Sequence, residues 1–500
     1  MTLVIHDTDL YGPGVQITPN NQEHHLVRED VLIASTDSSA FFALFQSSSL
    51  YELGFDIQGT VAADDYGILV DTGYRLDLTV RVGETGSILS ASATAIRASS
   101  SYELTQRDFV VENLGQIAGT QNGIFSAEFG LSSVYNEGTI STQNSTALYL
   151  VNGSAEVTNL GTIFSNNFGI FLADSRENSE TFTITNHGVI EASGDAILTY
   201  RGQDIITNTG SIIGDVNTGG HDEFYPDTHF DDTISNSGVI DGDIILGTGN
   251  DTLDGANGEI FGGVLGLEGD DVLKTGIGDD MILGGLGADE MWGGAGNDTA
   301  SYELSDDGVR VSLNQGRGWF GEAQGDTLYE IENLIGSDRR DNLIGNNIAN
   351  QIMGGNADDV LNALGGDDML FGGNGEDNLL GGEGNDYLSG DRHQDRLTGG
   401  AGEDIFAFLN ILDSGPSNTE RDNITDFTPG EDRIDLTELG DLSFGGGAFT
   451  GTAGEIIHYH VAGGTRTVVE IDIDGDSNAD FGILLSNAAH TLTANDFIFA

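Results

Sequence analysis

The front half of the chain repeats one short pattern. An apolar residue, an asparagine, a glycine and an isoleucine take alternate positions, as in Val111, Asn113, Gly115 and Ile117. The pattern returns around Gly138, Gly161, Gly188, Gly210 and Gly238. Poorer copies sit at Gly86, where Glu84 stands in the asparagine place, and at Gly59. Alternate residues of a strand point to one face, so the four positions face inward together. A second apolar stretch lies between copies, as in Gly123-Ile124-Phe125 and Gly169-Ile170-Phe171. Successive glycines are 22 to 29 residues apart. A coil of that length with two or three short strands predicts a parallel β-helix over residues 1–245. Asparagines at one place in successive coils predict a hydrogen-bonded ladder inside a turn. The competing fold, a β-sandwich, would not keep an inward asparagine in every unit.

From about residue 246 the period shortens to nine. The best copies are those starting at Gly284, Gly293, Gly372, Gly381 and Gly399. Thirteen copies share the register, and twelve carry aspartate at the sixth place: 251, 271, 280, 289, 298, 341, 359, 368, 377, 386, 395 and 404. The exception is Asn350. The eighth place is a large apolar residue, such as Leu253, Ile282, Leu370 or Phe406, in every copy but the one with Ala300. This spacing predicts a strand of about three residues centred on the inward eighth residue, with the rest of the unit as turn. Two units make one coil, so the strands pile into two parallel sheets. Stacking then brings aspartate side chains and turn carbonyls together. Such hard oxygens suit Ca²⁺ and its six- to eight-fold coordination. Without an ion the stacked carboxylates would repel one another. A disordered Gly/Asp linker would not hold an apolar residue at the eighth place.

Charge sharpens this picture. Asp and Glu total 81 against 17 Lys and Arg, a formal net charge of -64. Nucleic acid is excluded as a partner, and an anionic membrane surface is disfavoured. There are 74 glycines but only 5 prolines, which argues for many tight turns. The absence of cysteine rules out disulfides, thiolate metal sites and a Cys nucleophile. No apolar run reaches ~18 residues, so no transmembrane span is expected. The start, MTLVIHDTDLYGPG, lacks a cationic segment and predicts no cleaved signal peptide. Export would need another address.

The nonapeptide resembles the RTX (hemolysin-type) repeat G-G-x-G-x-D-x-U-x, which builds a calcium-loaded parallel β-roll. The resemblance implies several Ca²⁺ ions, held by carbonyls at the second and fourth places and by the sixth-place aspartate. In this sequence those are Gly247, Gly249 and Asp251; Gly269 and Asp271; Gly276, Gly278 and Asp280; Gly285, Gly287 and Asp289; and Gly294, Gly296 and Asp298. In the second block they are Asp359; Gly366 and Asp368; Gly373, Gly375 and Asp377; Gly382, Gly384 and Asp386; Asp395; and Gly400, Gly402 and Asp404. Arg339, Ile348 and His393 replace the fourth glycine in the copies at Gly336, Gly345 and Gly390, so weak or absent calcium is expected there.

Residues 399–436 and the final Asp496-Phe497-Ile498-Phe499-Ala500 resemble the C-terminal region of serralysin-type (peptidase M10) proteases. That region combines an RTX roll with a cap and an uncleaved secretion signal. The expected organisation is therefore a β-solenoid over 1–245, a first repeat block over 246–301, a spacer over 302–335, a second block over 336–410, and a cap with secretion signal over 411–500. The spacer is read as an insertion that continues the solenoid, with a strand at Val309–Leu313. Near 231–263 the two repeats interleave, which reads as one all-β rod whose coil shortens. The resemblance implies type I secretion and an extracellular location. The apolar tail also fits a terminal strand closing the core.

Catalytic signatures are missing. There is no H-E-x-x-H, so this is not a zinc protease, and no G-x-S-x-G or P-loop is present. An acidic excursion from His221 to Asp232 offers carboxylates, two imidazoles and Tyr225, but the nearest basic residue is Arg201. It reads as a surface loop, and no catalytic residue is assigned. The run from Asp472 to Asp480 is not an EF-hand, because Ser477 and Ile483 stand where glycine and glutamate would be needed. It is either one further ion site or an acidic hairpin. Two functions follow. The first is a secreted, non-catalytic calcium-binding protein with a surface, matrix or adhesive role. The second is a polysaccharide-active lyase, hydrolase or epimerase with an RTX secretion tail. A cleft with converging Asp, Arg, His or Tyr on the front solenoid would favour the second.

Overall fold

The computed structural model describes residues 2–499 apart from 14–16, 20–22, 46–50, 73–75, 101–107, 175–179, 220–228, 446 and 462. The described residues form short strands, with three single-turn 3-10 helices. Two compact units are present, Met1–Asp280 and Met281–Ala500. Among the described residues no helix is long and apolar enough to cross a membrane.

The front unit is a parallel β-helix with three strands per coil. In one column Asp108–Asn113, Leu131–Asn136, Ser154–Asn159, Thr181–Asn186 and Gln203–Asn208 pair in parallel, each with the next. A second column stacks Gln116–Gly119, Thr139–Thr142, Thr162–Ser165 and Val189–Ala192. A third stacks Ile124–Ala127, Thr146–Val151, Phe168–Ala173 and Ile197–Tyr200. Register follows the sequence repeat. Val111, Val134, Val157 and Ile184 line one inner wall, and Ile117, Ile140, Ile163 and Ile190 line the next, all buried. Burying each such side chain contributes about 1.5–3 kcal/mol.

The asparagine ends its strand and turns into the corner. Asn113 Nδ2 donates to Asn136 Oδ1 at 2.7 Å, Asn136 to Asn159 at 2.7 Å, and Asn159 to Asn186 at 2.8 Å. Asn186 donates to Asn208 and Asn208 to Asn236, each at 2.8 Å. The same Nδ2 groups reach carbonyls one coil on, as Asn159 does to Val189 at 3.0 Å. The glycine two residues later is imposed by close approach. A Cβ on Gly161 would collide with the Gly138 carbonyl, and one on Gly188 with that of Gly161.

In the rear unit the coil is 18 residues. Val360–Gly365, Asn378–Glu383 and Arg396–Ala401 stack as one parallel sheet, and Gln351–Asn356, Met369–Asn374, Tyr387–Arg392 and Ile405–Ala407 as the other. Leu361, Leu379 and Leu397 face Ile352, Leu370 and Leu388 across the core, all fully buried. The strands between Gln351 and Ala401 are six residues long, not three, because each runs on into the first places of the next copy.

The spacer adds strands to these sheets. Arg310–Ser312 pairs in parallel with Asn342–Ile344, and Thr299–Ser301 with Asn333–Ile335, while Arg317–Trp319 folds back antiparallel. Beyond the repeats, Glu455–Val461, Arg466–Asp472 and Phe481–Leu485 form an antiparallel sheet, joined to the roll through Asp422–Ile424. Near the end Phe497–Ile498 pairs in parallel with Arg433–Asp435, and the Phe497 ring packs 5.4 Å from that of Phe444. The apolar tail thus forms a terminal strand; Ala500 lies outside the described residues.

Candidate metal centre

Each sixth-place aspartate stands just before its strand, so stacking puts it above its counterpart one coil on. The Asp341 amide donates to Oδ1 of Asp359 at 2.8 Å, Asp359 to Asp377 at 2.7 Å, and Asp377 to Asp395 at 2.7 Å. On the other side Asn350 donates to Asp368 at 2.7 Å, Asp368 to Asp386 at 2.9 Å, and Asp386 to Asp404 at 3.0 Å. In the front unit the Asp251 amide donates to Oδ1 of Asp271 at 2.7 Å. Asp280, Asp289 and Asp298 are buried at the corresponding places.

One oxygen of each carboxylate is thereby used. The second has no partner in Asp251, Asp359, Asp368, Asp377, Asp386, Asp395 and Asp404, all at most 2% exposed. Buried charged oxygens left unsatisfied are costly, and native folds avoid them. The first glycine of the repeat makes room for this oxygen. A Cβ on Gly372 would stand 2.5 Å from Oδ2 of Asp377 and 2.7 Å from the Gly390 carbonyl. A carboxylate oxygen and a backbone carbonyl likewise converge on Gly354 and Gly381. The second place needs positive φ, as at Gly373 (107°) and Gly382 (119°). Hard, buried, underused oxygens are the donor set of a calcium site.

Burial, reinforced by neighbouring aspartates, raises these carboxyls. Asp359 is pushed up to about 8, Asp377, Asp404 and Asp251 to about 7, and Asp368, Asp386 and Asp271 to about 6. Asp395 is also raised, by burial and by Asp422. The metal-free fold therefore holds protons that the unfolded chain has already lost. Its stability is greatest below the ordinary carboxyl value near 4 and falls as pH rises through about 6 to 8. A divalent cation competes with those protons, so its affinity changes in the opposite sense. The chelated chain is expected to lose folded signal as pH rises from about 5 to about 8, and calcium binding to the metal-free fold to release protons in that range. Circular dichroism in chelator at several pH values measures the first, and a pH-independent folded signal would contradict the burial of these groups.

Two of the three degenerate copies satisfy themselves. In the copy at Gly336, Ser337 donates its amide to Oδ2 of Asp341 at 2.6 Å and its hydroxyl to Oδ1 at 3.0 Å. In the copy at Gly345, the Asn346 amide donates to Oδ1 of Asn350 at 2.8 Å, and Asn350 Nδ2 donates to the Glu332 carbonyl at 2.7 Å. In these two copies protein hydrogen bonds take the oxygens that are left without partners in the regular copies. In the copy at Gly390, Asp391 and His393 adopt the positive φ that glycine takes elsewhere, yet the second oxygen of Asp395 remains without a partner.

Sequence reasoning missed the residues that extend the ladder. Asp326 accepts the Asp289 amide at 3.0 Å, Asp422 accepts that of Asp395 at 2.9 Å, and Asp432 that of Asp404 at 3.2 Å. None sits in a glycine-rich copy. All three precede a buried Leu or Ile by two residues (Leu328, Ile424 and Ile434), and that reduced signal could have found them.

The run from Asp472 to Asp480 is the loop of a hairpin between Arg466–Asp472 and Phe481–Leu485. Asp472, Asp474 and Asp476 bring oxygens within 4.8 Å of one another. Both oxygens of Asp472 already accept backbone amides, from Gly475 and Ser477. Most of the acidic excursion from His221 lies outside the described residues.

The stacked, acid-lined parallel coils define a β-roll of the calcium-binding repeat type. Comparison with known proteins agrees. Residues 265–300 match the family described as RTX calcium-binding nonapeptide repeat (4 copies), and residues 291–499 match Peptidase M10 serralysin C terminal. The chain thus carries RTX repeats and a serralysin-type C-terminal domain. It is 41% identical over 101 residues to the mannuronan C5-epimerase AlgE5 of Azotobacter vinelandii, covering 19% of this chain and 10% of that one. It is 42% identical over 88 residues to AlgE2 of the same organism, covering 17% and 8%. The chain spans about a tenth of the length of these curated relatives. The solution structure of the AlgE6R3 subunit of the Azotobacter vinelandii enzyme is 32% identical, covers 32% of this chain and 78% of that one, and superposes with a TM-score of 0.22.

Proposed function

We propose that the protein is a secreted calcium-binding protein whose repeats fold around Ca²⁺ after type I export, and that it serves a non-catalytic surface, matrix or adhesive role. The observation that carries this reading is the row of buried aspartate oxygens without partners, those of Asp359, Asp377 and Asp386 set beside a backbone carbonyl. Sixth-place aspartates, with carbonyls of the second- and fourth-place residues, are the ligands of several ions. Inside a cell calcium is scarce and the acidic chain stays open enough to thread a channel. Outside, calcium reaches the roughly 10⁻⁴–10⁻³ M range of extracellular sites and supplies folding free energy. The serralysin-type C-terminal domain supports the secretion step. Calcium binding to the full chain, counted by equilibrium dialysis, tests the proposal. Asp377→Ala and Asp386→Ala are expected to raise the calcium midpoint about tenfold or more, some 1.4 kcal/mol per tenfold. Asp341→Ala, whose oxygens are already bonded to Ser337, should leave the ion count unchanged. Equal effects of all three variants would refute the assignment.

A second reading, a polysaccharide-active enzyme, draws on one feature of the front unit. A groove of about 480 Å³ is lined by Asp56, Gln58, Arg81, Glu112, Leu114 and Tyr135. Asp56, Arg81, Glu112 and Tyr135 stand in register on successive coils, and Arg81 Nε donates to Glu112 at 2.8 Å. A cation flanked by carboxylates suits a sugar acid. Under this reading, binding or turnover of an acidic polysaccharide in calcium is lost in Arg81→Ala. No binding or turnover across uronate and neutral polysaccharides would leave the first reading alone.

A further inference from the structure

The two blocks of nonapeptide copies are joined by a stretch whose ladder places are already filled by protein groups. On one side of the roll the stack runs from Glu290–Ala295 through Thr327–Tyr329, Arg317–Trp319 and Arg310–Ser312 to Asn342–Ile344 and Val360–Gly365. On the other it runs from Thr299–Ser301 through Asn333–Ile335 and Gln351–Asn356 to Met369–Asn374. Asp326, Glu332, Asp341 and Asn350 each stand just before one of the joining strands. Both oxygens of buried Asp326 are taken. Oδ1 accepts the Asp289 amide at 3.0 Å, and Oδ2 accepts the hydroxyl of buried Tyr302 at 3.0 Å. Oε2 of Glu332 accepts the Asp298 amide at 3.0 Å. Oδ1 of Asp341 accepts the Val309 amide at 2.6 Å besides the Ser337 hydroxyl, and Asn350 brings no carboxylate. The Gly336 turn carries guanidinium groups. Arg339 donates to the Asp306 carbonyl at 3.1 Å, and Arg340 to the Asp358 carbonyl at 3.0 Å. One coil on, at Asp359 and Asp368, a buried oxygen is again without a partner.

We propose that this stretch is a seam that takes no calcium, and that it divides the roll into two blocks that load calcium independently of each other. The inference rests on the reading that ladder carboxylates take calcium, and it locates where that ladder is interrupted. Within a block, ladder places stand one strand spacing apart, about 4.8 Å. Order around one ion therefore passes directly to the next coil. Across the seam Asp298 and Asp368 are three strand spacings apart, roughly 14 Å, and Asp289 and Asp359 are five apart, roughly 24 Å. Charges that far apart are largely screened at physiological salt, where the Debye length is about 8 Å. Sites at such distances without shared partners act almost additively. The seam packs on its own side chains, with Tyr302, Val309, Val311, Leu328 and Leu334 all buried, so its coils stack without an ion between them. The rival arrangement is one continuous calcium ladder with an ion in the seam as well.

The test follows hydrogen exchange of the full chain against calcium concentration, over 284–301 and over 351–404, in the wild type and in Asp377→Ala. The variant is expected to raise the calcium midpoint of 351–404 about tenfold or more and to leave that of 284–301 within about twofold of the wild type. Should Asp377→Ala leave 351–404 unprotected at every calcium concentration, 284–301 should still gain protection at the wild-type concentration. A second variant, Asp326→Asn, keeps the shape of the side chain and is expected to bind as many ions as the wild type in equilibrium dialysis. Midpoints that shift together, protection over 284–301 that ignores calcium, or one ion fewer in folded Asp326→Asn would each overturn the seam. If the wild type binds no calcium, the proposed function itself fails.

Discussion

Removing calcium from the full chain at neutral pH is expected to erase amide protection over residues 336–404 while the coils over 109–200 keep theirs. Seven aspartates of the rear unit (359, 368, 377, 386, 395, 404 and 422) have a buried oxygen without a partner. Each unsatisfied buried group costs about 1–3 kcal/mol, and more when charged. Seven of them cost roughly 7–21 kcal/mol by that figure, against a whole-domain stability of about 5–15 kcal/mol. The apolar core of the roll cannot offset this alone, because each nine-residue copy contributes about one fully buried large side chain, such as Leu361, Leu370 or Leu379. Hydrogen exchange with and without chelator measures the loss. Full protection over 336–404 in chelator at pH 7 would overturn the calcium-dependent fold. At pH 5 the chelated chain should regain part of that protection, because protons then neutralise the same carboxyls.

Asn159→Ala is expected to destabilise the front unit by about 2–4 kcal/mol. Asn159 accepts from Asn136 and donates to Asn186 and to the Val189 carbonyl. The substitution leaves Asn186 Oδ1 without its donor in a fully buried corner and opens a cavity beside it. Each lost partner costs about 1–3 kcal/mol, and the cavity adds to that. Because each coil contacts mainly its neighbours, the damage should stay within adjacent coils. Denaturant unfolding followed by tyrosine fluorescence reads the change. The effect should be the same with and without calcium, and calcium-dependent loss would place the asparagine ladder under the control of the metal.

Much of this architecture was legible in the sequence, because solenoid contacts repeat at fixed spacing. Alternation in Val111, Asn113, Gly115 and Ile117 marked the inner wall and the corner ladder. The nine-residue period marked the paired sheets, the buried eighth residue and the row of aspartates. The strands came out longer than expected because backbone pairing continues through the glycines. The ladder extensions at Asp326, Asp422 and Asp432 were not legible in the sequence. They lack the glycine signature, and only stacking onto a neighbouring coil shows their role.

The groove around Arg81 was hidden for a similar reason. Asp56, Arg81, Glu112 and Tyr135 are far apart in sequence and separated by loops of unequal length. Local spacing determined the coil, the inward face and the calcium-type chemistry, since those depend on residues within one repeat. Which carboxylate oxygens remain without a partner, and which side chains share a face across coils, was decided only by the tertiary structure. Hydrogen-bond satisfaction depends on neighbours one coil away, and unequal loops between strands conceal that register from the linear sequence.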